Sequence, residues 1–120
     1  MAYIPNVGEI VHLEFDPALG SEMQGKHYGL VVTEKSVNQF GLAMICPISQ
    51  GKSDLYRNKG TLVSLMGTGT DTLGAIHCHA LKSLDWRKRH AKFKEKVPDE
   101  ILIEVLQKLA AILPFDKYLG

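Results

Sequence analysis

Between Pro98 and Pro114 the sequence PDEILIEVLQKLAAILP changes its hydrophobic period, and that change narrows the folds open to the chain. Ile101, Leu102, Val105, Leu106, Leu109, Ile112 and Leu113 recur at helical spacing, which predicts one amphipathic helix of about four turns. Pro98 suits the helix start and Pro114 stops it. Asp99 and Glu100 lie near the positive end of the helix dipole, and Lys108 lies toward the other end. A helix with one apolar face has to cover an apolar surface made elsewhere in the chain.

Upstream of Pro98 the period is two. In VHLEF, Val11, Leu13 and Phe15 alternate with His12 and Glu14. YGLVVTE, LAMICPIS, TLVSL and AIHCHAL read as further strands. DPALGSEMQG, SVNQFG, QGKSDLYRNKG and MGTGTDTLG read as the loops and turns between them. Pro47 predicts an interruption or an edge position, because proline has no N–H for a ladder. In AIHCHAL, Ile76 and Cys78 take one face, and Ala75, His77 and His79 take the other. Five or six short strands and then a helix predict a single α+β domain over residues 1–120, a small bent antiparallel β-barrel with a C-terminal amphipathic helix.

The net charge is only +1, yet KSLDWRKRHAKFKEK carries Lys82, Arg87, Lys88, Arg89, Lys92, Lys94 and Lys96 against Asp85 and Glu95. Such a stripe reads equally as a polyanion site or as an edge strand guarded by lysines. Cys46 and Cys78 stand in apolar contexts without CxxC spacing and read as reduced core thiols. The N-terminus has no signal-peptide pattern and no apolar run is long enough to span a membrane, so a soluble cytoplasmic protein is expected. MGTGTDTLG lacks the Lys-Ser/Thr of a phosphate loop. Trp86 is expected in the core or a dimer contact.

Several blocks occur in an order known from one family. YIPNVGEIVHLEFDPALGSEMQGK, YGLVVTEKSVNQ, ICPIS, ALKSLDWRKR and VPDEILIEVLQKLAAIL together resemble the MazF/PemK family of toxins from bacterial toxin–antitoxin modules. The resemblance implies an SH3-like barrel with appended helices and a homodimer. It further implies a metal-independent endoribonuclease acting on single-stranded RNA, and an antitoxin partner with an acidic segment. A related branch of the same fold, the CcdB type, poisons DNA gyrase; the ending Pro114-Phe115-Asp116-Lys117-Tyr118-Leu119-Gly120 lacks that branch's C-terminal tryptophan.

The departures from the family pattern define the candidate site. His27 stands where the family has a catalytic arginine, and Tyr28 replaces the proline that follows it. Ser49 keeps the hydroxyl of a family threonine. His77-Cys78-His79 replaces an Arg-Cys-Asp triplet whose arginine and aspartate are implicated in catalysis. Cleaving RNA through its 2′-hydroxyl needs a base, an acid and positive charge near the phosphate, and imidazoles titrating near neutrality can serve as base and acid. The expected catalytic group is His27 with His77 or His79, and Ser49. Glu22, Lys26, Lys82, Arg87 and Arg89 are expected to bind RNA, with residues 51–59 lining or covering the groove. Two alternatives stay open: His27, His77 and His79 could hold zinc, or the domain could bind RNA or protein without cutting.

Overall fold

The computed structural model describes residues 2–16, 20, 25–50 and 60–120. Among them seven strands form one antiparallel sheet: β1 (Glu9–Glu14), β2 (Lys26–Val31), β3 (Leu42–Ser49), β4 (Leu62–Ser64), β5 (Ala75–His77), β6 (Lys82–Asp85) and β7 (Lys92–Lys96). Three helices accompany it: α1 (Lys35–Asn38), α2 (Asp99–Ile112) and α3 (Phe115–Leu119). The long helix runs between Pro98 and Pro114 as its periodicity requires. Two short helices were not legible: α1 occupies the expected SVNQFG turn, and α3 restarts just beyond Pro114.

The strand order is β4-β5-β3-β2-β1-β7, with β6 also paired to β3. β3 therefore has strands on both edges. β2 pairs one edge, while β6 takes Leu42–Ile45 and β5 takes Ile48–Ser49 on the other. This corrects the expectation that Pro47 must interrupt its strand or lie at an edge. Val32 N donates to Met44 O at 2.8–3.0 Å spacing typical of a ladder, measured here at 3.0 Å. That fixes Leu30–Cys46 and Tyr28–Ile48 as hydrogen-bonded pairs by alternation, leaving Gly29–Pro47 a non-hydrogen-bonded pair. The nitrogen of Pro47 then faces the other edge, in the gap between β5 and β6, where no ladder bond is needed.

The same proline accounts for a second correction. AIHCHAL is not one strand: β5 ends at His77, and Cys78–Ala80 form a 3-10 turn. Continuing the β3–β5 register by one residue would set His77 against Pro47, which has no N–H to extend the ladder. His79 is consequently exposed on the turn and does not share a strand face with His77.

β6 pairs with β3 and β7 with β1, two strands away, yet residues 86–91 alone connect them. Ala91 N donates to Trp86 O at 2.9 Å, and Glu14 N donates to Arg89 O at 3.0 Å. So short a link requires the sheet to curl until the turn after β6 meets the end of β1. The order still ends at β4 and β7, so among the described residues the sheet is curled but not closed.

Each face of the sheet has its own core, because successive strand residues point opposite ways. Ile10, Leu30, Cys46, Ile48, Val63 and Ile76 pack with Ile101, Val105 and Leu109 of α2. Their neighbours Val11, Val31 and Ile45 join Leu13, Phe15, Ala43, Leu84 and Trp86 inside the curl. Burying each large aliphatic side chain contributes about 1.5–3 kcal/mol. Trp86 is thus a core residue. The stripe that α2 buries is narrower than its apolar periodicity: Leu106, Ile112 and Leu113 remain exposed.

Candidate active site

The inner face of the curl leads to the polar residues singled out in the sequence. Ser49 is the last residue of β3 and lies opposite Ala75 of β5. Ala75 and His77 share a face, opposite to that of the core residue Ile76. From there His77 reaches diagonally to Ser49: its Nε2 is 2.6 Å from Ser49 Oγ. Continuing the β2–β3 register by one residue sets His27 opposite Ser49 on its other side. His27 pairs with Leu13 across β1 and β2, and its ring centroid is 6.4 Å from that of Phe15. One row on one face therefore runs His77, Ser49, His27.

Half-burial of His77 disfavours its charged form and lowers its pKa below the usual 6.5. Near neutral pH the ring is uncharged, so one nitrogen carries a proton and the other accepts. Either Ser49 donates to Nε2 or Nε2–H donates to Ser49, and the short separation suits both. A neutral imidazole bonded to a hydroxyl at the end of a strand can take a proton and pass it on.

Gly74 holds this arrangement in a way the sequence did not reveal. Its φ is +116°, and a Cβ built there would lie 2.0 Å from the carbonyl oxygen of Ser49. Only glycine lets the chain entering β5 approach β3 so closely. In the sequence it is one of several glycines in a turn-rich segment, and nothing local distinguishes it.

The remaining predicted residues divide. Lys26 adjoins His27 on β2 and so projects to the opposite face, where it pairs in register with Glu14. Lys82 is half-buried opposite Ile45, on the face that carries Ser49. Arg87 is exposed, with its guanidinium 4.7 Å from the Trp86 ring centroid. Arg89 spends Nη1 on two carbonyls, those of Glu14 at 3.1 Å and Asp16 at 2.9 Å. Lys92, Lys94 and Lys96 are exposed along β7, an edge strand, where lysines oppose edge-to-edge pairing. Glu22 and residues 51–59 lie outside the described residues. Among the described residues no three His, Cys, Asp or Glu side chains are grouped to hold a metal ion.

The profile of a family described as PemK-like, MazF-like toxin of type II toxin–antitoxin system matches residues 6–113. The chain is 36% identical over 107 residues to the endoribonuclease PemK of Escherichia coli, covering 88% of this chain and 80% of that protein. The crystal structure of MazF from Deinococcus radiodurans superposes with a TM-score of 0.85 at 30% identity, over 94% of this chain and 99% of that one. A MazE–MazF crystal structure from the same organism gives 0.79 at 29% identity, over 93% and 98%.

Proposed function

Because this chain belongs to the PemK-like, MazF-like toxin family of type II toxin–antitoxin systems, we propose that it is an endoribonuclease toxin cutting single-stranded RNA by histidine acid–base catalysis without a metal. The observation that carries this reading is the 2.6 Å contact between Ser49 Oγ and the neutral, half-buried His77. His77 Nε2 is the base. The RNA 2′-hydroxyl replaces Ser49 as its partner, gives up its proton and attacks the adjacent phosphorus. Ser49, released from the ring, donates its hydroxyl to a phosphate oxygen. His27, on the other side of Ser49, protonates the departing 5′-oxygen. The products are a 2′,3′-cyclic phosphate and a 5′-hydroxyl. His79, exposed just beyond His77, is the second candidate for the proton donor.

Lys82 and Arg87 bring positive charge toward the RNA, and Glu22 extends the contacts; Lys26, on the opposite face from His27, is left out of this set. An antitoxin with an acidic segment covers the same surface, in keeping with the toxin–antitoxin family description. We read the curled sheet as an SH3-like barrel left open between β4 and β7, and the core inside the curl supports that reading. The toxin acts in the cytoplasm as a homodimer. The apolar residues exposed on α2 and α3, among them Leu106, Leu113, Phe115 and Leu119, support an apolar contact between copies.

The test is cleavage of a long single-stranded RNA by the purified protein with and without EDTA. Cleavage in both, abolished by a 2′-deoxy nucleotide at the cut site and by His77→Ala, is expected. Cleavage that persists with the 2′-deoxy substrate, or that EDTA stops, overturns the mechanism. Replacement of the family arginine by His27 favours one other reading, a non-catalytic binder of the same fold; RNA binding with no cutting under any condition would establish it.

A further inference from the structure

The end of the β1–β2 ladder is closed by a side chain. The register of the two strands ends at Glu14–Lys26. One residue further, Phe15 N still donates to Gly25 O at 2.8 Å. A regular ladder would return that bond from Gly25 N to Phe15 O. Gly25 N donates instead to the Asp16 carboxylate, 3.1 Å from Oδ1. Gly25 has a left-handed φ of +78°, so its N–H and C=O do not point the same way as they would in a strand. The Asp16 side chain thus takes the place of a ladder carbonyl at the start of β2. By alternation the next hydrogen-bonded pair inward is Leu13–His27.

Asp16 is itself held in place. Its N–H donates to Glu14 Oε1 at 3.1 Å, and its carbonyl accepts from Arg89 Nη1 at 2.9 Å. Arg89 grips Glu14 twice: Nη1 donates to the Glu14 carbonyl at 3.1 Å, and the Arg89 carbonyl accepts from Glu14 N at 3.0 Å. Arg89 belongs to the turn after Trp86. That turn is braced by Lys88 N, which donates to Asp85 Oδ1 at 3.0 Å, and by Ala91 N, which donates to Trp86 O at 2.9 Å. His90 in the same turn has a φ of +55°, a conformation uncommon outside glycine that persists where surrounding contacts enforce it. A line of fixed groups therefore runs from the core residue Trp86 through Arg89 and Asp16 to the start of β2.

We infer that Asp16 is a positioning residue for His27: its carboxylate pins Gly25, and so holds the strand end from which the His27 ring reaches the departing 5′-oxygen. The inference rests on His27 being the proton donor of the cleavage. Asp16 acts through Gly25, and what it supplies is an acceptor, not a charge. Without that acceptor the end of β2 frays, and His27 is only the second residue of the strand. Proton transfer needs the donor within hydrogen-bond reach of the leaving oxygen, so a displacement of about 1 Å can cost about 10²-fold in rate. Ser49 and His77 stand on β3 and β5 and keep their geometry when the end of β2 loosens.

Amide exchange and cleavage kinetics of the full-length chain test this together. The Gly25 amide should be protected in the wild type and exchange about tenfold faster in Asp16→Ala. In that variant kcat should fall by about 10²-fold with KM little changed. Asp16→Asn keeps the acceptor and loses the charge, so it should recover most of both. An RNA whose leaving 5′-oxygen is replaced by sulfur needs no proton donor, and on it Asp16→Ala and His27→Ala should both cut at close to the wild-type rate. Equal losses of Asp16→Ala on the two substrates, while sulfur rescues His27→Ala, overturn the inference alone. Failure of sulfur to rescue His27→Ala overturns His27 as the proton donor, and the inference falls with it. Asp16→Asn as impaired as Asp16→Ala also overturns it, since the charge would then be what matters. An unprotected Gly25 amide in the wild type overturns it even where a variant fails to fold.

Discussion

Ser49 and His77 come from strands that meet for only two residue pairs, yet their side chains lie 2.6 Å apart. The contact is diagonal: Ser49 lies opposite Ala75, and His77, two residues further along β5, shares the face of Ala75 and reaches back to the hydroxyl.

The pH profile of cleavage follows from the environment of His77. Burial holds its folded pKa below 6.5, so the base stays unprotonated until the pH falls below the ordinary imidazole range. The acid limb of kcat/KM should therefore have its midpoint below 6.5. His77→Ala should lower cleavage by about 10²–10⁴ and remove that limb. A wild-type limb centred above 6.5 would contradict the assignment of His77 as base. Stability carries the same sign: the unfolded chain binds the proton more readily than the native one. Stability contributed by neutral His77 is complete above 6.5 and lost progressively as pH falls below it. Thermal melts between pH 5 and pH 8 should show that loss in the wild type and less of it in His77→Ala.

Gly74→Ala separates packing from backbone strain. The new methyl would collide with the Ser49 carbonyl at 2.0 Å, and φ of +116° adds strain. A loss of about 2–3 kcal/mol is expected, with a fall in cleavage beyond what the unfolded fraction explains. Gly67→Ala is the control. Its φ is +73°, and nothing lies within 4 Å of a Cβ there, so only about 1 kcal/mol of strain is expected, with activity intact. Chemical denaturation and cleavage by both variants check this; equal effects would remove Gly74 as a positioning residue.

Much of this was legible because hydrophobic period reports burial. The strand–helix switch at Pro98 located α2, and Val11, Leu13 and Phe15 share the core that their alternation predicted. The blocks resembling MazF/PemK pointed to the family and singled out His27, Ser49 and His77, which the strand register sets on one face. What local pattern could not show was long-range. Pro47 is tolerated in a central strand only because two other strands divide the edge beside it. His79 left the row for the same reason. Arg89 looked like an RNA ligand by composition, whereas its Nη1 caps carbonyls some seventy residues earlier in the chain.

Glu95 should fasten the 66–74 segment to β7. Its carboxylate accepts bonds from Asp71 N at 3.1 Å, Thr72 N at 2.7 Å and Thr72 Oγ1 at 2.7 Å. Burial pushes its pKa up, but these bonds, with help from Lys94, outweigh burial and bring it below 4.5. The stabilisation is complete above 4.5 and is lost as pH falls through the lowered value. Glu95→Gln should cost about 1 kcal/mol at pH 7, and amide exchange at residues 71–75 should accelerate. Unchanged exchange there would show that the segment is held by other contacts.

Asn38 is buried and fully engaged. Its Nδ2 donates to Pro5 O and Thr33 O at 2.8 Å each, its Oδ1 accepts from Thr33 Oγ1 at 2.6 Å, and its carbonyl accepts from Trp86 Nε1 at 2.8 Å. Asn38→Ala leaves two carbonyls without donors and should cost about 2–3 kcal/mol. Asn38→Asp should be worse, since a carboxylate oxygen would face both carbonyls. Urea denaturation decides the order; an aspartate variant as stable as the alanine variant would mean that the network relaxes around the charge.

Arg87 and Arg89 provide the sharpest contrast within the basic stretch. Arg87 is exposed and stacked on Trp86, so Arg87→Ala should leave stability within about 0.5 kcal/mol of wild type. It should weaken RNA binding and reduce the slope of log K against log salt by about 1 if it contacts a phosphate. Arg89→Ala removes the donor that two carbonyls share, so it should destabilise the chain by about 1–2 kcal/mol. Its effect on the salt slope should be smaller, because that guanidinium is already committed. Titrations of RNA binding at several salt concentrations, paired with melts, check both. Reversed results, with Arg87 governing stability and Arg89 the salt dependence, would place the RNA track along the end of β1 instead of over Trp86.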